Sequence, residues 1–283
     1  MTQPDRFHLA GVMGWPVMHS RSPMMHNHWF DQQGLKGAYL PLAIRPDGLA
    51  AALRALPALG FSGCNLTIPH KQAAMAIVDE VDEVATAIGA ISCVVVRPDG
   101  TLYGTNNDWR GFIGNIQQAL PDLRWNAGPA LVVGAGGGAR AICYALLHQG
   151  AQDIRVVNRT PENAQALSAQ FGGKITVLRW EDRHEVLADV AMVVNVTNQG
   201  MVGQPPLDLR LDHLPKTALV ADIIYTPLDP PLLAAARARG NPAINGLGML
   251  LHQGIPAWQS WFEITPTLSE DLRTMLETGI KAV

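Results

Sequence analysis

Short apolar runs typical of β-strands alternate with helix-like segments along nearly the whole chain. Strands that are joined by helices run parallel, in a sheet that carries helices on both faces. The alternation therefore predicts an α/β protein. In the second half, the strand-like runs lie at 129–133, 154–157, 175–178, 190–195 and 218–223, and the helical patterns at 137–149, 161–171 and 230–239.

The first third predicts a smaller α/β domain, and two helical segments close the chain. Its strands are expected at 7–12, 38–44 and 63–68, followed by a hairpin of 91–96 with 101–105; its helices are expected at 24–33, 46–56 and 80–88. The final helices, at 248–260 and 268–281, have no strand after them. We therefore expect them to return to the first domain. This divides the chain into a first domain, 1–107 plus 247–283, and a second domain, 108–246.

Composition narrows the class of protein. Of the 283 residues, 48% are apolar, which is enough for a sizeable core and excludes a disordered chain. The net charge of -3 gives no broad electrostatic surface for nucleic acid or anionic membrane. The three cysteines form no CxxC pair, and no apolar stretch is long enough to span a bilayer. We expect a cytoplasmic protein without nucleic-acid or membrane partners.

A glycine-rich turn follows the strand at 129–133 and opens the helix at 137–149. The motif G-x-G-x-x-A in this context is typical of Rossmann-type dinucleotide binding. Its first glycine permits the tight turn, the second lets the backbone approach a pyrophosphate, and the helix N-terminus supplies N–H donors. The candidate ligands of the cofactor are Gly134, Gly136, Gly137, Gly138 and Ala139.

The residues after the next strand indicate which dinucleotide binds. An NAD site usually has an Asp or Glu there, on the ribose 2′-hydroxyl. This chain has Asn158 followed by Arg159 and Thr160, and a guanidinium binds a 2′-phosphate that a carboxylate would repel. The sequence therefore predicts NADP, although Arg159 alone is also compatible with an ordinary surface arginine.

Polar clusters follow three of the strands in the first domain. They contain Ser20-Arg21-Ser22-Pro23, Asn65-Leu66-Thr67-Ile68-Pro69-His70-Lys71, and Gly104-Thr105-Asn106-Asn107-Asp108. In open α/β sheets ligands bind beyond the carboxyl ends of strands, so these clusters predict a site for a hydroxyl-bearing substrate. Lys71 or Asp108 provides an acid–base group, and Ser22-Pro23 predicts a helix N-cap and its first residue. The clusters are also compatible with caps and turns alone.

Taken together, these segments resemble the shikimate dehydrogenase family over nearly the full length. The matching motifs include Gly14–Asn27, Asn65–Lys71, Gly104–Gly111, the glycine turn, Asn158-Arg159-Thr160, Asn195–Met201, Asp222–Pro227 and Gly246–Gln253. The resemblance implies NADP-dependent interconversion of shikimate and its 3-dehydro ketone, in the pathway to aromatic amino acids. It also implies a substrate domain, a Rossmann-type domain and C-terminal helices on the former.

Carried over position by position, the resemblance implies a role for each matching residue. Lys71 and Asp108 are the catalytic pair: Lys71 shuttles the proton of the reacting oxygen, and Asp108 holds the lysine or shares the proton. The implied substrate ligands are Ser20, Ser22, Asn65, Thr67, Ser92, Asn107, Tyr225 and Gln253. The further cofactor contacts are Asn158, Arg159, Thr160, Met201, Gly246 and Met249. The histidine spacing does not support a metal site.

Two substrate positions depart from the family pattern. The family usually has Asn where this chain has Ser92, and Thr where it has Asn107. Our hypothesis is a reciprocal exchange, in which the pocket keeps one amide and one hydroxyl with their positions swapped. The alternatives are a dehydrogenase for quinate or another cyclic hydroxy acid, an amino analogue of the substrate, and a non-catalytic NADP-binding regulator. A monomer and a homodimer both remain open.

Overall fold

The computed structural model describes residues 7–281. The chain divides into two compact units. The first contains the described residues up to Asn107 together with Leu250–Thr278, and the second contains Asp108–Met249 and the described residues after Thr278. Each unit has its own six-stranded sheet, which confirms the α/β class.

The first unit begins with six strands and four helices. In chain order these are β1 (His8–Gly14), α1 (Ser22–Gln32), β2 (Gly37–Ala43), α2 (Leu49–Ala55), β3 (Phe61–Leu66), α3 (His70–Ala73), β4 (Glu80–Val81), α4 (Glu83–Ile88), β5 (Cys93–Val96) and β6 (Leu102–Thr105). Short 3-10 helices at Pro46–Gly48 and Ala74–Ala76 extend α2 and α3. The sheet order is β2-β1-β3-β5-β6-β4.

This sheet is mixed, as the hairpin predicted in the first domain requires. β1 pairs parallel with β2 and β3, whereas β3 with β5 and β5 with β6 are antiparallel. The predicted hairpin, β5 with β6, is confirmed and is the source of the antiparallel pairs. The start of the helix predicted at 80–88 is wrong, because Glu80 and Val81 form β4 beside β6. Asp82 caps the helix by accepting a hydrogen bond from the N–H of Ala85, so α4 begins only at Glu83.

The second unit is regular, and all its strands are parallel. It contains α5 (Asp108–Ala119), β7 (Ala130–Val133), α6 (Gly137–His148), β8 (Ile154–Val157), α7 (Pro161–Gln170), β9 (Ile175–Leu178), β10 (Met192–Asn195), β11 (Leu219–Asp222), α8 (Pro231–Arg239) and β12 (Ala243–Ile244), with a 3-10 helix at Trp180–Leu187. Its order, β12-β11-β10-β7-β8-β9, reverses between β7 and β10. This is the doubly wound Rossmann order, whose switch point is a dinucleotide-binding position.

Two C-terminal helices complete the fold, α9 (Leu247–Phe262) and α10 (Glu270–Lys281). From Leu250 onward α9 belongs to the first unit, where its fully buried Trp258 packs with Trp29 of α1. The indole of Trp29 also donates to the carbonyl of Thr267, 3.1 Å away. The predicted return of the C-terminal helices is therefore present. None of the helices within residues 7–281 is long and apolar enough to cross a membrane.

Candidate active site

Four polar segments emerge at one edge of the first sheet. β1 and β3 are parallel and end there, and β5 begins where β3 ends because Cys93 pairs with Asn65. β6 runs back along β5 and ends at the same edge, since Thr105 pairs with Cys93. Backbone hydrogen bonds join these segments, from the N–H of Leu66 to the carbonyl of Ser92 and from the N–H of Ser92 to that of Thr105. The topology thus gathers the three predicted clusters, together with Ser92.

Asn65 lies in this edge with its amide held on both sides. Its Oδ1 accepts from the hydroxyl of Tyr39 on β2 at 2.7 Å, and its Nδ2 donates to the carbonyl of Ser92 at 3.2 Å. These bonds fix which side of the amide is the oxygen. Tyr39 was not predicted as a site residue, because its partner lies two strands away in the sheet order and no local pattern reveals it.

Ser92 and Asn107 are in direct contact. Both are buried, and the hydroxyl of Ser92 accepts a hydrogen bond of 2.8 Å from the backbone N–H of Asn107. The side-chain Nδ2 of Asn107 is shielded from solvent and has no hydrogen-bond partner among the described residues. The neighbouring Asn106 donates from its Nδ2 to the carbonyl of Ala90 at 2.8 Å. Position 92 therefore acts on position 107 through the backbone, a coupling that residue types alone do not reveal.

Lys71 lies in the short helix α3, directly after the buried His70. The Nε2 of His70 is 2.8 Å from the carbonyl of Ile44, and the carbonyl of Lys71 accepts from the N–H of Ile91 at 2.8 Å. Thr67 is tied to β1, since its N–H donates to the carbonyl of Met13. These contacts fix the backbone of the segment while the side chains of Thr67 and Lys71 stay half-buried. The backbone of Lys71 is therefore anchored through Ile91, just before β5.

The serines of the first cluster lie at the start of α1. The hydroxyl of Ser20 accepts from the N–H of Ser22 at 3.2 Å, and the N-cap position is Arg21. The prediction of Ser22 as N-cap is thus wrong by one residue, because Ser20 supplies the capping oxygen. Gln253, half-buried on α9, belongs to the same unit, and its neighbour Gly254 leaves no room for a side chain beside Met25.

An aromatic cluster lies behind Tyr39. The ring of His26 stacks on Tyr39 at 4.0 Å, and its Nδ1 accepts from the indole N–H of Trp258 at 2.6 Å. Complete burial lowers the pKa of His26 to about 3, so the ring is neutral. Since the stacked ring fixes Tyr39, this cluster supports the orientation of Asn65. Within residues 7–281 no three His, Cys, Asp or Glu side chains are grouped so that they could hold a metal ion.

In the second unit, the glycine turn has the shape that a dinucleotide requires. Gly134 has φ +111, and a Cβ there would lie 2.9 Å from the Cγ2 of Thr197, so only glycine fits without strain. Gly136 is the N-cap of α6, and a Cβ on it would meet no atom within 4 Å. This open space beside Gly136, at the N-terminus of α6, fits a pyrophosphate.

The residues after β8 fit an adenosine 2′-phosphate. The side chain of Asn158 donates from Nδ2 to the carbonyl of Thr160 at 2.8 Å, which orders this turn. Arg159 and Thr160 are exposed, and Thr160 precedes α7 without a side-chain capping bond. Among the described residues, Arg159 has no ion pair, so its guanidinium is available for a phosphate.

A hydrogen-bonded network lies at the carboxyl ends of β10 and β11. Asp222 accepts from the Nδ2 of Asn195 at 3.0 Å and from the N–H of Ile224 at 2.9 Å. Burial raises the pKa of Asp222 to about 7. Asn195 in turn accepts from Thr197, which packs against Gly134. This network shapes the loop before Met201, and it was missed because a buried carboxyl in a strand run gives no sign of its partner.

The segment that starts α9 is closely packed within the second unit. The N–H of Gly246 donates to the carbonyl of Ile224 at 2.8 Å, and a Cβ on Gly246 would lie 2.0 Å from the carbonyl oxygen of Ile223. Met249 is buried, and Met201 and Tyr225 are half-buried. Asp108, the first residue of α5, is buried and follows Asn107 directly. The predicted site residues thus fall into two sets, one in each unit.

Two family models match the chain. One describes a shikimate dehydrogenase substrate binding domain and covers residues 12–94, and the other describes shikimate / quinate 5-dehydrogenase and covers 116–202. Shikimate dehydrogenase (NADP(+)) of Paramagnetospirillum magneticum is 51% identical over 268 residues, which span 95% of this chain and 97% of that protein.

Solved structures are similar over nearly the whole chain. Shikimate 5-dehydrogenase from Thermus thermophilus, in complex with NADP(H) and shikimate, has a TM-score of 0.83 and 33% identity, covering 97% of this chain and 99% of that one. Quinate dehydrogenase from Corynebacterium glutamicum, in complex with NAD, has a TM-score of 0.87 and 32% identity, covering 98% and 100%. The resemblance noted in the sequence is thereby confirmed, and the chain belongs to the shikimate dehydrogenase family.

Proposed function

We propose that this protein catalyses the reversible, NADP-dependent oxidation of shikimate to 3-dehydroshikimate. The observation that carries the proposal is the sheet edge that gathers Asn65, Thr67 and Lys71 with Ser92 and Asn107. A ring bearing several hydroxyls needs many directed hydrogen bonds, and this edge supplies amide, hydroxyl and ammonium groups. The relative from Paramagnetospirillum magneticum, which carries the NADP(+)-dependent name, supports the choice of reaction.

In this mechanism the hydride leaves the alcohol carbon, and the proton leaves the oxygen bonded to that carbon. The side chain of Lys71 stabilises charge on the reacting oxygen and shuttles its proton, and Asp108 holds and polarises the lysine or shares that proton. The hydrogen bond from the N–H of Ile91 to the carbonyl of Lys71 fixes the backbone from which this side chain extends. Such acid–base assistance contributes about 10²–10⁴-fold in rate.

The remaining polar side chains hold the substrate. Ser20 and Ser22 bind its carboxylate, and the ring hydroxyls and the carboxylate are bound by Asn65, Thr67, Tyr225 and Gln253. Ser92 and Asn107 complete the pocket as the exchanged hydroxyl and amide. The bond between the hydroxyl of Ser92 and the N–H of Asn107 supports this pairing, since it places the two positions in direct contact.

The second unit binds NADP, which supplies or accepts the hydride when bound. Gly134, Gly136, Gly137, Gly138 and Ala139 would hold its pyrophosphate, and Arg159 and Thr160 would hold its 2′-phosphate beside Asn158. Met201, Gly246 and Met249 would border the nicotinamide. The open space at Gly136 and the exposed guanidinium of Arg159 support these positions.

Quinate is the second candidate substrate, because the chain is similar to a quinate dehydrogenase over its whole length. A non-catalytic regulator is disfavoured, since a protein that only binds nucleotide has no need of Lys71 and Asp108. We place the protein in the cytoplasm as a monomer or homodimer, with three buried cysteine thiols that fit a reducing compartment.

Turnover of shikimate and quinate, each with NADP and with NAD, tests the proposal directly. We expect the highest kcat/KM for shikimate with NADP. A higher value for quinate would assign the second candidate. Tight NADPH binding without turnover of either acid would contradict both.

A further inference from the structure

Helix α5 carries a second polar residue on its buried face. Asn115 lies seven residues after Asp108, which places both on one face of the helix, two turns apart. Asn115 is only 8% exposed among apolar neighbours such as Phe112 and Ile116. An amide in such a position costs stability unless it is hydrogen-bonded. Its Nδ2 donates to the carbonyl of Asn245, 2.7 Å away.

The segment that Asn115 contacts is the start of α9. Asn245 donates from its Nδ2 to the carbonyl of Leu228 at 2.8 Å, and its Oδ1 accepts from the N–H of Leu247 at 3.1 Å. Asn245 therefore caps the helix and also receives the bond from Asn115. The side chain of Asn115 also touches Gly248, where an added Cβ would lie 2.0 Å from the Oδ1 of Asn115.

The same segment is held on another side by the residues that follow β11. The N–H of Gly246 donates to the carbonyl of Ile224, and no side chain fits at Gly246 against Ile223. Residues 245–249 are thus held between the end of β11 and the side chain of Asn115. Removing Asn115 would leave the contacts with Ile223, Ile224 and Leu228 but abolish the hydrogen bond to Asn245.

We propose that Asn115 is a positioning residue that sets where residues 246–249 lie relative to Asp108. The inference rests on the proposed roles of Asp108, Gly246 and Met249. One rigid helix carries the acid–base residue at its start and, two turns later, the amide that fixes the segment bordering the nicotinamide. Reacting atoms in hydride transfer must approach within about 3–3.5 Å, so a small displacement of either element slows the reaction.

The first measurement uses the protein without cofactor. We expect Asn115→Ala to raise the hydrogen-exchange rate of the Gly246 and Leu247 amides at least tenfold, because the bond to Asn245 is lost. Asn115→Asp, which is nearly the same size but cannot donate when ionised, should do the same. Unchanged exchange in both variants would show that Asn115 does not hold the segment, and would overturn the proposal.

Catalysis supplies the second measurement. With a saturating cofactor, Asn115→Ala should lower kcat about tenfold or more, with little change in the KM for shikimate. The primary isotope effect with shikimate deuterated at the oxidised carbon should rise, because hydride transfer becomes the slow step. Wild-type kcat and isotope effect in a variant whose exchange is faster would also overturn the proposal.

Asn241 offers a matched control in the same unit. It is 4% exposed and donates from its Nδ2 to the carbonyls of Pro215 and Ala218, and no site role is proposed for it. Asn241→Ala removes a comparable buried amide, so it should reduce stability and leave the isotope effect unchanged. If Asn115→Ala and Asn241→Ala change the isotope effect equally, Asn115 has only a structural role.

A double-mutant cycle tests the contact itself. Gly248→Ala places a methyl group against the Oδ1 of Asn115 and should be harmful in the wild-type background. In the Asn115→Ala background that clash is absent, so the further loss in kcat should be smaller. Equal losses in both backgrounds would count against the contact. Asp108→Asn is measured in parallel, because full turnover in that variant would refute the proposed catalytic role rather than the role of Asn115.

Discussion

The two units build their proposed binding surfaces from different parts of the chain. In the second unit the surface is mostly backbone, with Gly134 in a conformation that favours glycine and Gly136 opening space over a helix N-terminus. In the first unit it is made of side chains that hydrogen-bond to one another, as Asn65 does to Tyr39 and Ser92. A backbone site tolerates few changes of residue, whereas a side-chain network can exchange its members. The two positions predicted to depart from the family pattern, Ser92 and Asn107, both lie in the first unit.

The largest expected effect tests whether Lys71 of the first unit takes part in the chemistry without taking part in cofactor binding. We expect Lys71→Ala to lower kcat for shikimate oxidation about 1,000-fold, because proton transfer loses its shuttle. The dissociation constant for NADPH, measured by fluorescence, should stay within about twofold of wild type. Lys36→Ala, an exposed lysine of the same unit, is the control and should be fully active. More than a tenth of wild-type turnover in Lys71→Ala would remove Lys71 from the mechanism.

The next effect tests whether the glycine turn is a binding surface or only a tight turn. Gly136→Ala should fold with a loss of no more than about 1 kcal/mol, since its φ is ordinary and nothing lies within 4 Å of a Cβ. It should nevertheless weaken NADPH binding about 100-fold, because the methyl group occupies the space of the pyrophosphate. Calorimetry measures both quantities.

Substitutions at two other glycines distinguish the cost of backbone strain from a loss of cofactor binding. Gly134→Ala should cost about 1–3 kcal/mol in stability and also weaken NADPH binding, because φ is +111 and Thr197 is close. Gly150→Ala has a similar strain at φ +86 but an open surrounding, so it should lose stability alone. If Gly136→Ala binds NADPH normally, the turn is structural and the cofactor lies elsewhere.

The comparison also explains what the sequence could predict. The second sheet was predictable because β7, β10 and β11 are fully buried and appear as continuous apolar runs between turn residues. The glycine turn was predictable because its motif, G-x-G-x-x-A between a strand and a helix, is contained in one short segment of the sequence. The β4 strand was not, because two residues paired to β6 leave no periodic pattern.

The residues of the site that were not predicted from the sequence make contacts with residues far away in the chain. Tyr39 orients Asn65 from another strand, and Asn115 meets Asn245, 130 positions further along the chain. Residue type identified Ser92 and Asn107 as unusual, but only the fold brings the Ser92 hydroxyl to the N–H of Asn107. A polar residue on an otherwise apolar helix face, such as Asn115, is a local signal in the sequence that could have indicated such a contact.

A smaller effect tests whether Arg159 makes the second unit prefer NADPH over NADH. Arg159→Ala should lower kcat/KM for NADPH about 30-fold and leave the value for NADH nearly unchanged, because a charged hydrogen bond to the 2′-phosphate is worth roughly 1.5–3 kcal/mol. Arg179→Ala, an exposed arginine of the same unit, should change neither. Equal losses for both cofactors would mean that Arg159 acts on the fold of the turn.

The smallest effects test the reciprocal exchange in the first unit, in which a hydroxyl at Ser92 and an amide at Asn107 have swapped positions. Ser92→Asn and Asn107→Thr should each lower kcat/KM for shikimate about tenfold, since each leaves one polar contact unmade. The double variant should recover part of the loss, because it restores one amide and one hydroxyl in the family's arrangement. The direct bond between Ser92 and Asn107 predicts coupling of this kind.

Stability separates this exchange from simple damage to the fold. Asn107→Thr removes a buried Nδ2 that has no partner among the described residues, so the free energy of unfolding should not fall even as turnover does. Ser92→Ala, by contrast, leaves the N–H of Asn107 without its acceptor and should reduce both. Losses in kcat/KM that simply add in the double variant would contradict the exchange. The two substitutions would then be independent changes in a pocket shaped for a different cyclic acid.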